Sequence, residues 1–126
     1  MTEHLHANSK ILFVDDERDM LSTVKTYLTR GGYGVFVSES GEKALELAHK
    51  DDFDIVITDL NMPGLSGLEL LKAIKEIHSE TEVIIVTGYG SIESAIKALK
   101  WGGYDYLQKP INLDRLRLLI DRILEK

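Results

Sequence analysis

The chain has no cysteine, no long apolar run and no excess of positive charge, and each absence excludes a class of protein. Without cysteine, neither a disulfide framework nor a thiolate metal site can form. No apolar stretch approaches the roughly 20 residues of a membrane-spanning helix. The first ten residues, MTEHLHANSK, lack the apolar core of a signal peptide. We therefore expect a cytoplasmic protein without membrane contacts.

The charge balance argues against direct nucleic-acid binding. The formal net charge is -6, whereas a domain that binds DNA or RNA needs a basic face. Four histidines are spread along the chain. Only His4 and His6 are close together, in a polar N-terminal segment, and we do not expect a metal site there. The length of 126 residues suits one domain that buries its own core.

Five short apolar runs are interpreted as strands. They are Ile11–Val14, Val35–Val37, Ile55–Ile57, Val83–Val86 and Tyr104–Leu107. The run Ile55–Ile57 is entirely β-branched, which suits a strand buried on both faces of a parallel sheet. Segments of helical period separate the runs, so strand and helix alternate along the chain. That alternation implies right-handed crossovers and a parallel sheet with helices on both faces.

The helical segments share apolar residues spaced three to four apart. The predicted buried stripes are Met20, Leu21, Val24, Tyr27 and Leu28; Ala44, Leu45 and Ala48, in a helix at about Gly41–Lys50; Leu68, Leu71 and Ile74; Ile92, Ala95, Ile96 and Leu99; and Leu113, Leu116, Ile120, Ile123 and Leu124. Predicted N-caps are Ser40, Ser66 with Glu69 at capping-box spacing, Ser91 and Asn112. The fold class is therefore α/β, a three-layer (βα)5 sandwich. Residues 1–9 are expected to form a flexible tail and residues 10–126 a single domain.

Polar side chains follow each of the predicted strands, although the second delivers only Ser38 and Glu39. Asp15 and Asp16 follow the first, Asp59 the third, Thr87 the fourth and Lys109 the fifth. In an open parallel sheet, ligands bind beyond the carboxyl ends of the strands, where the strand order reverses. If the first and third strands are neighbours, three carboxylates converge and repel one another unless a cation joins them. Mg²⁺ prefers such oxygen ligands.

Acids, a cation, a hydroxyl and a lysine at one point form a phosphoryl-transfer site. Asp59, alone at its strand end, is the natural nucleophile for an aspartyl phosphate. Taken singly, each residue has a simpler explanation: the aspartates can cap helices or turns, Thr87 can belong to a strand-end turn, and Lys109 can be a solvated surface residue. Their occurrence on successive strand ends favours phosphoryl transfer.

The motifs FVDDE, ITDLNMPG, VIIVTGYG and DYLQKPI occur in this order and together resemble the receiver domain of bacterial two-component response regulators. The resemblance runs from about Lys10 to the end of the chain. It implies a flavodoxin-like or CheY-like fold with a five-stranded parallel sheet of order 2-1-3-4-5. The segments TGYGSIESAIKALK and GGYDYLQKP look most like receivers of the nitrogen-regulation class of sigma-54-dependent activators.

The resemblance also implies roles for the strand-end residues. Asp59 is the expected phospho-acceptor, and Lys109 the expected contact to the phosphoryl group. Asp15, Asp16, Asp59 and the backbone carbonyl of Asn61 are the expected Mg²⁺ ligands. The protein is then not a conventional enzyme. It is expected to catalyse its own phosphorylation from a donor and to hydrolyse the acyl phosphate slowly.

Thr87 and Tyr106 match the switch pair of the family, a hydroxyl that turns toward the phosphoryl group and an aromatic that packs inward. The peptide bond between Lys109 and Pro110 is expected to be cis. Gly88 stands where alanine is frequent in the family and is expected to loosen the switch loop. The output surface, formed by the fourth helix, fifth strand and fifth helix, is assigned Lys97, Lys100, Trp101, Tyr106 and Arg115.

The implied partners are a sensor histidine kinase or phosphotransfer protein, and an effector domain or downstream protein. A homodimer formed on phosphorylation is a further option. One alternative is a phosphorylation-independent interaction or dimerisation module, although all five key side chains are present. Another is a haloacid-dehalogenase-like hydrolase, which needs a second acid where this chain has Asn61. There is neither a P-loop nor a G-x-G-x-x-G fingerprint for nucleotide binding.

Overall fold

The computed structural model describes residues 6–88 and 92–125, which form five strands and five helices in alternation. In chain order these are β1 (Ile11–Val14), α1 (Arg18–Arg30), β2 (Val35–Ser38), α2 (Gly41–Lys50), β3 (Ile55–Asp59), α3 (Gly67–Ile77), β4 (Glu82–Thr87), α4 (Ile92–Lys100), β5 (Asp105–Gln108) and α5 (Leu113–Leu124). Every predicted strand is present. Because β3 reaches Asp59 and β4 reaches Thr87, these two polar residues are held in the strands themselves.

The five strands form one parallel sheet of order β2-β1-β3-β4-β5, which confirms the predicted topology. In the register, Val14 pairs with Thr58 and Asp59 pairs with Val86. The strand order reverses between β1 and β3, so the ends of these two strands border the crevice where ligands bind in such sheets. The neighbouring positions of β1 and β3 meet the condition for the carboxylates to converge.

Two separate cores lie on the two faces of the sheet, so the three-layer arrangement is also confirmed. Alternate residues of β1 illustrate the division: Ile11 and Phe13 pack with α1 and α5, while Leu12 and Val14 pack with α2, α3 and α4. All four are fully buried. The apolar, largely β-branched inner strands β1, β3 and β4 are therefore buried on both faces, as strands of parallel sheets are. Among the described residues, no helix is both long and apolar enough to cross a membrane.

The predicted buried stripe of α4 is wrong at two positions. Ile92 and Ile96 are 37% and 46% exposed, whereas Ala95 and Ala98 are fully buried. Small alanine side chains form the face of α4 that packs on the sheet, and the larger isoleucines are left facing solvent. Periodicity alone could not separate the two faces, because Ile92, Ala95, Ile96 and Leu99 have helical spacing whichever side faces the core.

Three of the four predicted N-caps are confirmed. The Ser40 side chain accepts a hydrogen bond from Lys43 N, and Asn112 accepts one from Arg115 N. Ser66 and Glu69 form the reciprocal capping box at the start of α3. The fourth predicted cap, Ser91, lies outside the described residues.

The first residue of α3, Gly67, is packed directly against the end of β3. A Cβ atom at Gly67 would lie 2.1 Å from the carbonyl oxygen of Asp59 and 2.7 Å from Leu60 Cα. The Gly67 N–H also donates a 3.1 Å hydrogen bond to the carbonyl oxygen of Leu60. No side chain fits between helix and strand here, so the absence of a Cβ sets how closely α3 approaches Asp59.

We expect Gly67→Ala to lower the free energy of unfolding by about 1–3 kcal/mol, since the added methyl group forces backbone apart in a packed region. Gly88→Ala is the matched control. No described heavy atom lies within 4 Å of a Cβ at Gly88, so a change within about 0.5 kcal/mol is expected there. Urea unfolding of the three proteins measures both effects. Equal stability of Gly67→Ala and the unsubstituted chain would contradict the close packing of α3.

Candidate functional site

Three aspartates converge at the carboxyl ends of β1 and β3. Asp15 directly follows β1 and is fully buried, Asp16 is exposed, and Asp59 at the end of β3 is 6% exposed. One carboxylate oxygen from each lies within 4.8 Å of the other two. The structure thus brings together the three acids that the sequence placed at the ends of two different strands.

The ammonium group of Lys109 lies against these carboxylates. Its Nζ is 2.8 Å from Asp59 Oδ2 and 3.2 Å from Asp15 Oδ2. The Lys109 backbone N–H donates a 2.7 Å hydrogen bond to the carbonyl oxygen of Thr87, which fixes the loop after β5 to the end of β4. The Lys109–Pro110 peptide bond is cis, as expected.

Glu17 is a member of this cluster that the sequence interpretation gave no role. Its Oε1 accepts a 3.1 Å hydrogen bond from Lys109 Nζ, and its backbone N–H donates a 2.9 Å bond to Asp15 Oδ1. The available signal was the run of three acids in FVDDE, where only the first two were assigned. Glu17 therefore both holds the lysine and orients the buried aspartate.

Burial and like charge shape the electrostatics of the cluster. Burial raises the pKa of Asp15, and the charge of Asp59 adds to the rise; the hydrogen bond from Glu17 N–H and the nearby Lys109 ammonium only partly oppose it. For Lys109, burial acts to lower the pKa, but its contacts with the carboxylates of Asp59, Glu17 and Asp15 outweigh this effect, so that the pKa is raised. Lys109 accordingly stays positively charged beside the acids.

The donor set fits a hard divalent cation. Asp15 Oδ2 is buried and has no hydrogen-bond partner among the described residues, although it lies near the lysine ammonium. An unsatisfied buried carboxylate oxygen is costly unless a charge of opposite sign compensates it. With Asp16 and Asp59 it offers oxygen ligands of the kind that Mg²⁺ takes. Asn61 approaches the same point, since its backbone N–H donates a 3.1 Å bond to Asp59 Oδ1.

The predicted switch residues lie beside this cluster, on β4 and β5. Thr87 is fully buried, and its hydroxyl donates a long, 3.5 Å hydrogen bond to the carbonyl oxygen of Leu107. Tyr106, the preceding residue of β5, is half-buried and packs against the core formed with α2, α3 and α4. The Thr87 hydroxyl is thus joined to the strand that carries the aromatic residue.

Of the predicted output-surface residues, Tyr106 and Arg115 line one groove beside β5. Lys97 and Lys100 are exposed on α4. Trp101 is half-buried, and its ring packs against the same core as Tyr106.

Lysines from two helices cover the Trp101 ring. The Nζ of Lys72, from α3, lies 3.1 Å from the ring centroid, and that of Lys97, from α4, lies 5.4 Å away. Such cation–π contacts hold the ring at the junction of the two helices. Trp101 therefore links α3 to α4, and its role in an output surface stays a prediction.

Comparison with known families decides what this arrangement belongs to. The response regulator receiver domain family matches residues 11–121. The chain belongs to this family. Receivers are signalling domains of two-component systems rather than conventional enzymes, so the recognised family and the general class of function are confirmed.

Curated relatives of this receiver are transcriptional regulators. The regulatory protein ZraR of Escherichia coli (strain K12) is 38% identical over 119 residues, which cover 94% of this chain and 27% of the relative. The nitrogen assimilation regulatory protein NtrX of Azorhizobium caulinodans is 40% identical over 118 residues, covering 91% of this chain and 26% of the relative. The chain thus spans about a quarter of the length of these relatives.

Solved receiver structures have the same fold. A receiver domain protein from Clostridium thermocellum has a TM-score of 0.89 and 37% identity, covering 93% of this chain and 94% of that one. The receiver domain of NtrX from Brucella abortus has a TM-score of 0.87 and 36% identity, covering 92% of this chain and 98% of that one. The CheY-like fold prediction is confirmed.

We expect Asp15→Asn to raise the free energy of unfolding at neutral pH in the absence of divalent cations. A carboxyl whose pKa is raised by folding stabilises the protein only below its unfolded pKa, and that contribution is lost as the pH rises through the folded pKa. At neutral pH the ionised Asp15 therefore lowers the stability of the folded protein. The neutral amide in Asp15→Asn would remove this destabilisation and keep an oxygen that accepts the hydrogen bond from Glu17 N–H.

Urea unfolding at neutral and at acid pH measures this effect. The gain should shrink at acid pH, where the wild-type carboxyl is protonated. Asp16→Asn is the control, because Asp16 is exposed and its neutralisation should change stability less. A loss of stability in Asp15→Asn would mean that the attraction to Lys109 outweighs burial.

Proposed function

We propose that this receiver accepts a phosphoryl group on Asp59 from the phosphohistidine of a sensor histidine kinase or phosphotransfer protein. The observation that carries the proposal is the Asp59 carboxylate at the end of β3, 2.8 Å from the Lys109 ammonium and clustered with Asp15 and Asp16. A nucleophilic carboxylate, a fixed cation and an oxygen-rich cation site are the parts that phosphoryl transfer requires.

The transfer is a displacement at phosphorus. An Asp59 carboxylate oxygen forms the new P–O bond, and the P–N bond of the phosphohistidine breaks, with its electron pair leaving on the imidazole nitrogen. Lys109 offsets the negative charge of the phosphoryl oxygens from its position between Asp59 and Glu17. Positioning and charge neutralisation are the main contributions a protein makes to this chemistry.

A divalent cation complements the lysine at this site. Asp15, Asp16, Asp59 and the backbone carbonyl of Asn61 are the groups that would hold Mg²⁺. When bound, Mg²⁺ would supply further positive charge to the phosphoryl oxygens. The buried Asp15 Oδ2, which has an ion pair with Lys109 but no hydrogen bond among the described residues, supports this assignment.

Phosphorylation then acts on the contact between β4 and β5. The long hydrogen bond from Thr87 to the Leu107 carbonyl leaves the Thr87 hydroxyl able to exchange that acceptor for a phosphoryl oxygen. Tyr106, which precedes Leu107, moves inward in response and changes the surface formed by α4, β5 and α5. A local charge change thereby biases a two-state element, and an effector domain or downstream protein reads the result.

Intact mass after incubation with a small-molecule phosphodonor and Mg²⁺ tests the acceptor. One added phosphoryl group is expected on the unsubstituted chain, and none on Asp59→Asn or after metal chelation. Asp54→Asn is the matched control. It removes an aspartate just before β3, where Asp54 accepts a 2.9 Å bond from Lys10 N, and it should be phosphorylated normally.

Absence of the adduct, with a rapid-quench repeat also blank, would overturn the proposal. The chain would then be a phosphorylation-independent interaction or dimerisation module. An adduct that persists on Asp59→Asn would assign the acceptor to another residue.

Substitution of Thr87 separates phosphorylation from switching. Thr87→Ala should still gain the phosphoryl group but lose the change in Trp101 fluorescence that phosphorylation produces, because the switch hydroxyl is gone. Thr87→Ser keeps a hydroxyl and should retain the change. Trp101 is the only tryptophan and lies at the α3–α4 junction, so its emission reports on α4. A full fluorescence change in phosphorylated Thr87→Ala would contradict the switch role.

A further inference from the structure

A second cluster of side chains of the kinds that bind metals lies at the amino ends of the strands, opposite to Asp59. It consists of His6, which precedes β1, with Asp121 and Glu125 at the C-terminal end of α5. One ligand atom from each residue lies within 4.8 Å of the other two. The His6 side chain is 16% exposed, that of Asp121 is 33% exposed and that of Glu125 is 58% exposed.

The distances within the cluster suit coordination better than hydrogen bonding. His6 Nε2 lies 3.6 Å from Glu125 Oε2 and 3.8 Å from Asp121 Oδ1. Hydrogen bonds from nitrogen to oxygen are shorter, about 2.7–3.2 Å. Ligands about 2.0–2.2 Å from a tetrahedral metal lie roughly 3.3–3.6 Å from one another. The two distances from His6 Nε2 are therefore within a few tenths of an ångström of that spacing, and the two carboxylate oxygens lie within 4.8 Å of each other.

The ring nitrogen Nε2 of His6 is buried and makes no hydrogen bond with the described residues. Nε2 is inaccessible to solvent and has no hydrogen bond within residues 6–88 and 92–125. A buried polar atom in this state needs compensation. Both carboxylates of the cluster lie within 4 Å of this buried nitrogen.

Neighbouring groups hold the ligands in place. The Ser9 backbone N–H and hydroxyl both donate to the His6 carbonyl oxygen, at 3.0 and 2.6 Å, which closes a turn over residues 6–9. The His6 ring stacks on Tyr33 with 5.6 Å between centroids. The Tyr33 hydroxyl donates to Asp121 Oδ1. Hydrogen bonds that orient a ligand residue from outside, as Tyr33 orients Asp121, are typical of metal sites.

The two carboxylates are unfavourable for α5 by themselves. Asp121 and Glu125 are four residues apart, so they lie on the same side of the helix and repel each other. They also lie at the negative end of the helix dipole, where acidic side chains are disfavoured. A cation between them would relieve both effects.

We propose that His6, Asp121 and Glu125 bind a divalent transition-metal ion of the Zn²⁺ class. One imidazole nitrogen and two carboxylate oxygens suit Zn²⁺, whereas Mg²⁺ prefers oxygen ligands alone. Three protein ligands leave a position for water. Bound metal would fasten the turn over residues 6–9 to the end of α5. The proposal departs from the expectation that the N-terminal histidines hold no metal; His4 itself lies outside the described residues.

This site is independent of the phosphorylation proposed for Asp59, and its test is designed accordingly. Because the acidic cluster also offers carboxylates to cations, the titration uses the untagged chain carrying Asp15→Asn and Asp16→Asn together. Isothermal titration calorimetry with Zn²⁺ at neutral pH should show one site. Co²⁺ in its place should give visible absorption bands from a nitrogen- and oxygen-bound ion.

Adding His6→Ala should weaken Zn²⁺ binding by more than about tenfold, since even groups that only orient a ligand are worth about 10–100-fold in affinity. Glu125→Gln and Asp121→Asn should each weaken it as well. His49→Ala is the matched control, because His49 is an exposed histidine on α2 and its loss should leave binding unchanged.

Zn²⁺ binding that survives His6→Ala, or that falls equally with His49→Ala, would overturn the proposal. So would loss with His6→Ala while both carboxylate substitutions bind normally, because the ligand set would then be different. Complete absence of Zn²⁺ binding would leave His6 in an ordinary ion pair with the two acids and would equally overturn the metal assignment.

Discussion

The free-energy cost of burying two like-charged side chains, Asp15 and Asp59, at the ends of β1 and β3 is the main constraint on this structure. Asp15 and Asp59 are removed from water side by side, and Lys109 is the ammonium placed against both. Such an arrangement persists only if surrounding structure holds it, because each charge alone would be strongly disfavoured in the interior. The site is therefore maintained under electrostatic strain, which a cation or a transferred phosphoryl group can change.

The fold supplies the rigidity that this strain requires. Each charged group is attached to a strand buried on both faces, or to a loop tied to such a strand by backbone hydrogen bonds, as Lys109 is tied to Thr87. Gly67 then brings α3 against the Asp59 carbonyl without an intervening side chain. The Asp59 carboxylate is consequently positioned by backbone geometry more than by its own rotamer.

The parts of the fold and site that the sequence predicts are those with a strong local signal. Strands such as Ile55–Asp59 are marked by β-branched runs followed by polar residues. The order of the four receiver motifs along the chain indicates the order of the strands in the sheet. The buried face of α4 was predicted wrongly because isoleucine and alanine fit the same helical periodicity. The structure places the small alanine side chains against the sheet and the larger isoleucines toward solvent. The contacts of Glu17 with Lys109 and of His6 with Asp121 were not predicted, because they join residues about a hundred positions apart.

The parallel direction of the strands has an electrical consequence. The residues of the proposed phosphoryl-transfer site lie at the carboxyl ends of β1, β3, β4 and β5, while the turn over residues 6–9 and the end of α5 lie at the amino ends, about 13 Å away along the five-residue β3. At physiological ionic strength the screening length is about 8 Å. Solvent ions therefore largely screen the potential that a charge added at Asp59 would produce at His6. The two ends of the strands can be coupled only through the packed layers between them.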